Sequence, residues 1–255
     1  MTTLATTPIQ PYTALHLKHF PVKIYTTPSG IEIHPMWSGE GNLSYLVVNP
    51  ENRQALLIDP DLEILGSYLL TLDMQQLRLV ATIDTHNHAE HASAGPALHK
   101  LLGVAYIMFE NAPSSFVTDR VKDDDTRTLA GIPVAFMATP GHTTNVMTVK
   151  IDGHIFTGDS LFNKSCGRTD LPGAGGDAGV QFDSLQRLMR LLDDTVVHPG
   201  HDYNNQASST ISEIRRENKR VQFTDRAEFI RFMGEYYVNE EKPDDLEYYV
   251  AFNAR

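Results

Sequence analysis

Three imidazoles and a carboxylate stand within six positions at His86-Asn87-His88-Ala89-Glu90-His91. Imidazole nitrogen and carboxylate oxygen suit zinc, iron and manganese, and the one thiol of the chain, Cys166, supplies no competing soft set. The cluster follows the apolar run Leu79-Val80-Ala81-Thr82-Ile83, which reads as a buried strand running out into a polar loop. In an extended segment side chains two apart point the same way, so His86, His88 and Glu90 share one side, and His91 requires a turn to join them. The chemistry this predicts is that of a bound metal ion.

Three later motifs extend the set. Thr139-Pro140-Gly141-His142-Thr143, Phe156-Thr157-Gly158-Asp159-Ser160 and His198-Pro199-Gly200-His201-Asp202-Tyr203 each place a potential ligand just after an apolar, β-rich run. Several strands are thus predicted to deliver ligands from their C-terminal ends to one edge of a sheet. This series resembles the metallo-β-lactamase superfamily, whose ligands come from T-H-x-H-x-D-H, a later His, a bridging Asp and a final His. The resemblance implies an α/β fold, the four-layer αββα sandwich. Residues 1–40 are then an irregular N-terminal arm and first strand, and residues 41–255 a single domain.

In the superfamily pattern His86, His88 and His142 hold a first metal with Asp159. A second metal would draw on Glu90, His91 and His201. The sequence departs from that pattern at Glu90, where the family has Asp. The extra methylene moves the carboxylate outward by about 1.5 Å, whereas metal–ligand distances tolerate only about 0.2 Å. One strongly held metal is therefore expected, with Glu90 and His91 as hydrogen-bonding partners that orient its ligands or bound water. A single site with histidines, one carboxylate and open positions suits non-haem iron and dioxygen. A closed pair of metals suits hydrolysis. Residue types alone leave iron and zinc both open.

A closer likeness is carried by Cys166-Gly167-Arg168-Thr169-Asp170, by His201-Asp202-Tyr203, and by the tail from Asn218-Lys219-Arg220 through Phe229, Met233 and Pro243 to Asn253. These resemble the persulfide dioxygenases, also called sulfur dioxygenases, which are related to type II glyoxalases. The resemblance implies one Fe(II) per chain on His86, His142 and Asp159. It also implies dioxygen-dependent oxidation of glutathione persulfide, or a similar low-molecular-weight persulfide, to sulfite. The alternative is a zinc-dependent hydrolase of thioesters or lactones. Arg168 is expected to shape the pocket or pair with Asp170 or Asp202, and Tyr203 to use its hydroxyl on ligand or substrate. Cys166 is expected to be a buried wall residue. Thr144-Asn145-Val146, where relatives commonly have Pro-Gly and a small residue, is a second departure near the expected site and leaves the thiol carrier open between glutathione and another.

The elements that must position these groups are legible in part. Leu43–Val48 and Ala55–Asp59 read as a hairpin, Val104–Phe109 and Pro133–Ala138 as strands, and Val146–Lys150 with His154–Thr157 as a second hairpin turning at Asp152-Gly153. Helical spacing marks Ile64 to Leu72, Pro96 to Leu102, Phe182 to Leu192 and Phe229 to Tyr237, with a capping box at Thr210 and Glu213. His99 falls on the second of these helices, away from the ligand motifs. The Gly-rich stretch 171–177 is expected to be a flexible lip. With 32 acidic against 21 basic residues, the formal charge of −11 argues against nucleic acid as a partner. The lone cysteine and the lack of a signal pattern or apolar span predict a cytoplasmic protein free of the membrane. The expected partners are a small thiol or persulfide and dioxygen, with a homodimer as the oligomeric option.

Overall fold

The apolar runs become two sheets whose facing sides share one core. The structure, a computed structural model, describes residues 23–39, 41–203, 206–237 and 245–255. Residues 1–22 of the expected arm and Pro243 of the tail motif lie outside these. The first sheet keeps chain order in space: β1 (Tyr25–Thr26), β2 (Glu32–Ser38), β3 (Asn42–Asn49), β4 (Gln54–Ile58), β5 (Arg78–Ile83), β6 (Ala105–Phe109) and β7 (Asp119–Val121). Pairing is antiparallel from β1 to β4 and parallel from β4 to β7. The parallel crossovers carry α1 (Leu65–Met74) and α2 (Gly95–Leu102).

The second sheet contains β8 (Thr126–Leu129), β9 (Ile132–Ala138), β10 (Met147–Ile151), β11 (His154–Gly158), β12 (Val196–Pro199) and β13 (Ser209–Thr210), in the spatial order β13-β12-β11-β10-β9-β8. Only β11 and β12 run parallel, joined through α3 (Ala178–Leu188). Helices α4 (Ile211–Glu217), α5 (Arg226–Tyr237) and α6 (Leu246–Asn253) complete the described chain.

The alternation of side chains along β3 explains its unbroken apolar run. Tyr45 and Val47 face the inter-sheet core with Ile58, Ile83, Val134, Phe136 and Phe156. Leu46 and Val48 face outward against Tyr68, Leu72 and Leu98. Both faces are buried, so both parities must be apolar. On the far side Ile155 and Val197 pack on Phe182, Leu185, Ile214, Phe229 and Met233. Each fully buried side chain of this kind contributes about 1.5–3 kcal/mol. Helix, sheet, sheet and helix therefore stack as the four-layer αββα sandwich.

Local chemistry sets the punctuation. Asp152 and Gly153 both adopt positive φ, 44° and 79°, as a two-residue turn between right-twisted strands requires. The Thr210–Glu213 capping box opens α4. Periodicity carried the third helix to Leu192, but α3 ends at Leu188 and Leu192 is exposed. Arg215 takes the free carbonyls of Met189 and Leu191 at 3.1 and 2.8 Å, and the chain turns there toward β12. No helix among the described residues is long and apolar enough to cross a membrane.

Candidate metal centre

Five strands end at one edge of the sandwich, and the residue types found there are those of the sequence motifs. β4 hands over Asp59, β5 the loop His86 to His91, β9 His142, β11 Asp159 and β12 His201. Backbone hydrogen bonds join the two sheets at this edge: Met147 N donates to Thr85 O at 2.8 Å and Leu43 N to Gly200 O at 2.9 Å. The Tyr45 hydroxyl adds a bond to Pro199 O at 2.6 Å.

Two imidazoles are locked in the tautomer a metal ligand needs. The Thr85 hydroxyl donates to Asp59 Oδ2 at 2.9 Å, so it accepts from His86 Nδ1 at 3.0 Å. A carbonyl only accepts, so His142 Nδ1 donates to Arg168 O at 2.7 Å. In both rings the proton sits on Nδ1 and the Nε2 lone pair is left free. Both Nε2 atoms are buried without a hydrogen-bond partner. Nε2 of His142 lies 3.6 Å from Asp159 Oδ2. An imidazole lone pair hidden from water and from donors costs energy unless something electron-poor takes it. A metal ion fits that description.

His86, Glu90, His142 and Asp159 place one ligand atom each within 4.8 Å of one another. His88 falls in other groups, one with Glu90 and His91 and one with Asp59 and Asp84. Its ring lies between two carboxylates, with Nε2 3.3 Å from Asp59 Oδ1 and Nδ1 3.2 Å from Glu90 Oε1. Among the described residues Glu90, His91 and His201 do not form a group of their own. His201 instead directs Nδ1 at Asp159 Oδ1, 2.9 Å away.

The charges follow from these contacts. Burial pushes the His86 imidazole down to about 3, and its neighbour His88 adds to the effect, so the ring is neutral. Burial alone would raise the Asp159 carboxyl, but His201 overrides it and the group is held down to about 2. Burial likewise opposes a charged His201, yet Asp159 pushes it up to about 9. Glu90 is held well below the usual carboxylate range by His88 and His91, against the penalty of burial.

The remaining motif residues take varied places. Arg168 meets the centre through its backbone carbonyl. Its guanidinium grips Asp170 with two bonds, 2.7 and 3.0 Å, and lies over the Tyr237 ring. Tyr203 is exposed, and its ring stacks on His201 at 5.5 Å between centroids. Cys166 is buried, and desolvation pushes its thiol up to about 12, so it is no thiolate nucleophile at neutral pH. His198 points away from the centre and bonds His154 at 2.9 Å, and His99 bonds Val104 O at 2.7 Å next to the end of α2. In the Gly-rich stretch Leu171 packs against Ala89, Leu246 and Val250.

Asp59 and Asn253 matter more than their sequence context suggested. Asp59 follows an apolar strand and precedes a proline, which is the signal that marks it as a strand-end carboxylate. It accepts Thr85 N at 2.7 Å in addition to the Thr85 hydroxyl. Asn253, on α6, donates to His88 O at 2.9 Å and His91 O at 2.8 Å and accepts from Ser93 N at 2.9 Å. Asn253→Ala is expected to cost about 3 kcal/mol, roughly 1 kcal/mol for each lost bond. Equilibrium unfolding in denaturant measures this, and a change under about 0.5 kcal/mol would show that the helix does not clamp the histidine loop.

Residues 37–201 match the profile described as the Metallo-beta-lactamase superfamily. The chain is 31% identical over 215 residues to the mitochondrial persulfide dioxygenase ETHE1 of Homo sapiens, covering 83% of each chain. The crystal structure of ETHE1 from Myxococcus xanthus superposes with a TM-score of 0.82 at 33% identity, over 87% of this chain and 97% of that one. A hydroxyacylglutathione hydrolase of Edwardsiella ictaluri is 30% identical over 72% of this chain and 70% of its own.

Proposed function

We propose, from the premise that the chain belongs to the metallo-beta-lactamase superfamily, that it is a persulfide dioxygenase working with one Fe(II) held by His86, His142 and Asp159. The observation that carries this reading is the gathering of two imidazoles, each with its Nδ1 committed and its Nε2 buried without a partner, into one group of donors with Asp159. Two histidines and a carboxylate with open positions suit iron(II) and dioxygen. The likeness to persulfide dioxygenases over most of the chain supports the same reading.

The substrate is a low-molecular-weight persulfide such as glutathione persulfide. Each turnover takes one dioxygen and one water and releases sulfite and the free thiol. When bound, the iron supplies a redox-active Lewis acid at which the terminal sulfur and dioxygen are brought together. The chain's own residues keep that centre in shape. Thr85 and the Arg168 carbonyl fix the tautomers of the two histidines, and His201 orients Asp159. His91 turns Nδ1 toward Glu90 Oε1 at 3.4 Å and keeps Nε2 buried without a hydrogen-bond partner, and this second nitrogen takes the S–H proton of the arriving persulfide. The Arg168–Asp170 pair stiffens the loop behind His142, and exposed Tyr203 meets the thiol carrier.

An oxygen electrode tests this directly. Protein carrying one iron per chain is expected to consume dioxygen and produce sulfite on addition of glutathione persulfide, and the zinc-loaded protein to do neither. Absence of oxygen uptake with the iron form overturns the reading. Turnover of an acyl-glutathione thioester by a form with two zinc ions per chain would replace it with a hydrolase.

A further inference from the structure

We propose that Glu90 is itself a ligand of the single ion, a fourth protein donor beside His86, His142 and Asp159, and that it thereby bars a second metal. This rests on the metal centre proposed above but not on its persulfide chemistry. The superfamily resemblance implies His88 among the ligands and Glu90 outside them. The geometry points to the reverse.

Glu90 Oε1 is the hub of the cluster. It lies 3.2 Å from His88 Nδ1, 3.4 Å from His91 Nδ1, and 4.0 Å from both His86 Nε2 and His201 Nε2. Its other oxygen is tied down by Ala89 N at 2.9 Å. Two donors bound to one ion at about 2.1 Å are separated by about 3.0 Å at a right angle and about 4.2 Å when opposite. The His86–Glu90 distance of 4.0 Å and the His142–Asp159 distance of 3.6 Å both fall in that window. All four donor atoms lie within 4.8 Å of one another, and His88 is not one of them.

The extra methylene explains the exchange. A glutamate at this position carries its oxygen past the place an aspartate would fill and brings it up to His86. The neighbouring group of His88, Glu90 and His91 has Glu90 as its one carboxylate, so a Glu90 committed to the first ion leaves that group two imidazoles, and the other Glu90 oxygen already accepts from Ala89 N. Two carboxylates and two imidazoles then balance the charge of a divalent ion and leave two of six positions for reactants.

Cobalt(II) is the probe, added to protein stripped of metal by a chelator and followed by its visible absorption and by chelator competition. Wild type is expected to saturate at one cobalt per chain even in excess. Glu90→Gln is expected to bind one cobalt with an altered visible spectrum and an affinity more than 100-fold weaker, beyond the roughly 10–100-fold that loss of an outer partner costs. Glu90→Asp is expected to take up a second equivalent. Circular dichroism of each metal-free variant checks folding. Should Glu90→Gln not fold, the wild-type stoichiometry and the Glu90→Asp titration still decide.

Two cobalt ions in wild type, or a wild-type spectrum in Glu90→Gln, would overturn the proposal. So would a single equivalent in Glu90→Asp with wild-type affinity. An unchanged Glu90→Gln spectrum together with oxygen uptake from persulfide would remove Glu90 as a ligand and leave the oxygenase standing. One cobalt with a Glu90-dependent spectrum and no oxygen uptake would do the opposite.

Discussion

His142→Ala is expected to purify without metal and to show no oxygen uptake above background. Structural metal sites are held by about 10–16 kcal/mol. Shared among four donors, that is on the order of 2.5–4 kcal/mol each, or about 100- to 1000-fold in affinity. The loss is not confined to one donor atom. Nδ1 of His142 also satisfies the Arg168 carbonyl at 2.7 Å, and Nε2 faces Asp159 at 3.6 Å. Removing the ring leaves a carbonyl without its partner and frees the 166–170 loop, so the remaining ligands lose their support. Metal analysis after gel filtration and the oxygen electrode read the two effects. Full metal occupancy in His142→Ala would exclude this residue from the ligand set.

Gly167→Ala is expected to damage the centre nearly as much, although glycine offers no ligand. A Cβ on Gly167 would lie 2.4 Å from Asp159 O, 2.8 Å from His142 Nδ1 and 3.0 Å from Asp159 Cβ. Two of these atoms are backbone or Cβ and cannot swing aside. The loop must move instead, breaking the Gly167 N to Asp159 O bond of 2.8 Å and the His142 bond to Arg168. Overpacking costs about 1–3 kcal/mol and each bond about 1 kcal/mol, so about 3–5 kcal/mol of stability should go with the metal. Gly66→Ala is the control, because Gly66 sits in α1 with nothing within 4 Å of an added Cβ. It is expected to be neutral or to stabilise by up to about 1 kcal/mol. Thermal unfolding and metal analysis of the pair measure the difference. Equal behaviour of the two variants would mean that the loop accommodates the methyl group.

The candidate ligands, and the strand ends that carry them, were legible in the chain itself. A buried strand needs an apolar run, and the polar ligand that follows must lie where that run stops, so Ile83 before the His86 loop and Phe156 before Asp159 already announce a shared edge. Turn and cap chemistry is equally local, and Asp152-Gly153 and Thr210–Glu213 sit where their residue types require. Short strands such as Thr126–Leu129 and Ser209–Thr210 carry too little apolar pattern to be seen in this way.

Which donor atoms meet was decided only by the folded chain. His198 stands in the same short motif as His201, yet it bonds His154 while His201 bonds Asp159. His88 has the spacing of a ligand and lies between Asp59 and Glu90, in groups of donors separate from that of His86 and His142. Asn253 reaches back across 165 positions to hold His88 O, and Arg168, whose guanidinium pairs with Asp170 as expected, also lends its backbone carbonyl to His142. Residue type and periodicity describe what one segment does alone. Which donors meet at this centre turns on distances between groups that different strands bring together, and those distances exist only once the two sheets have packed.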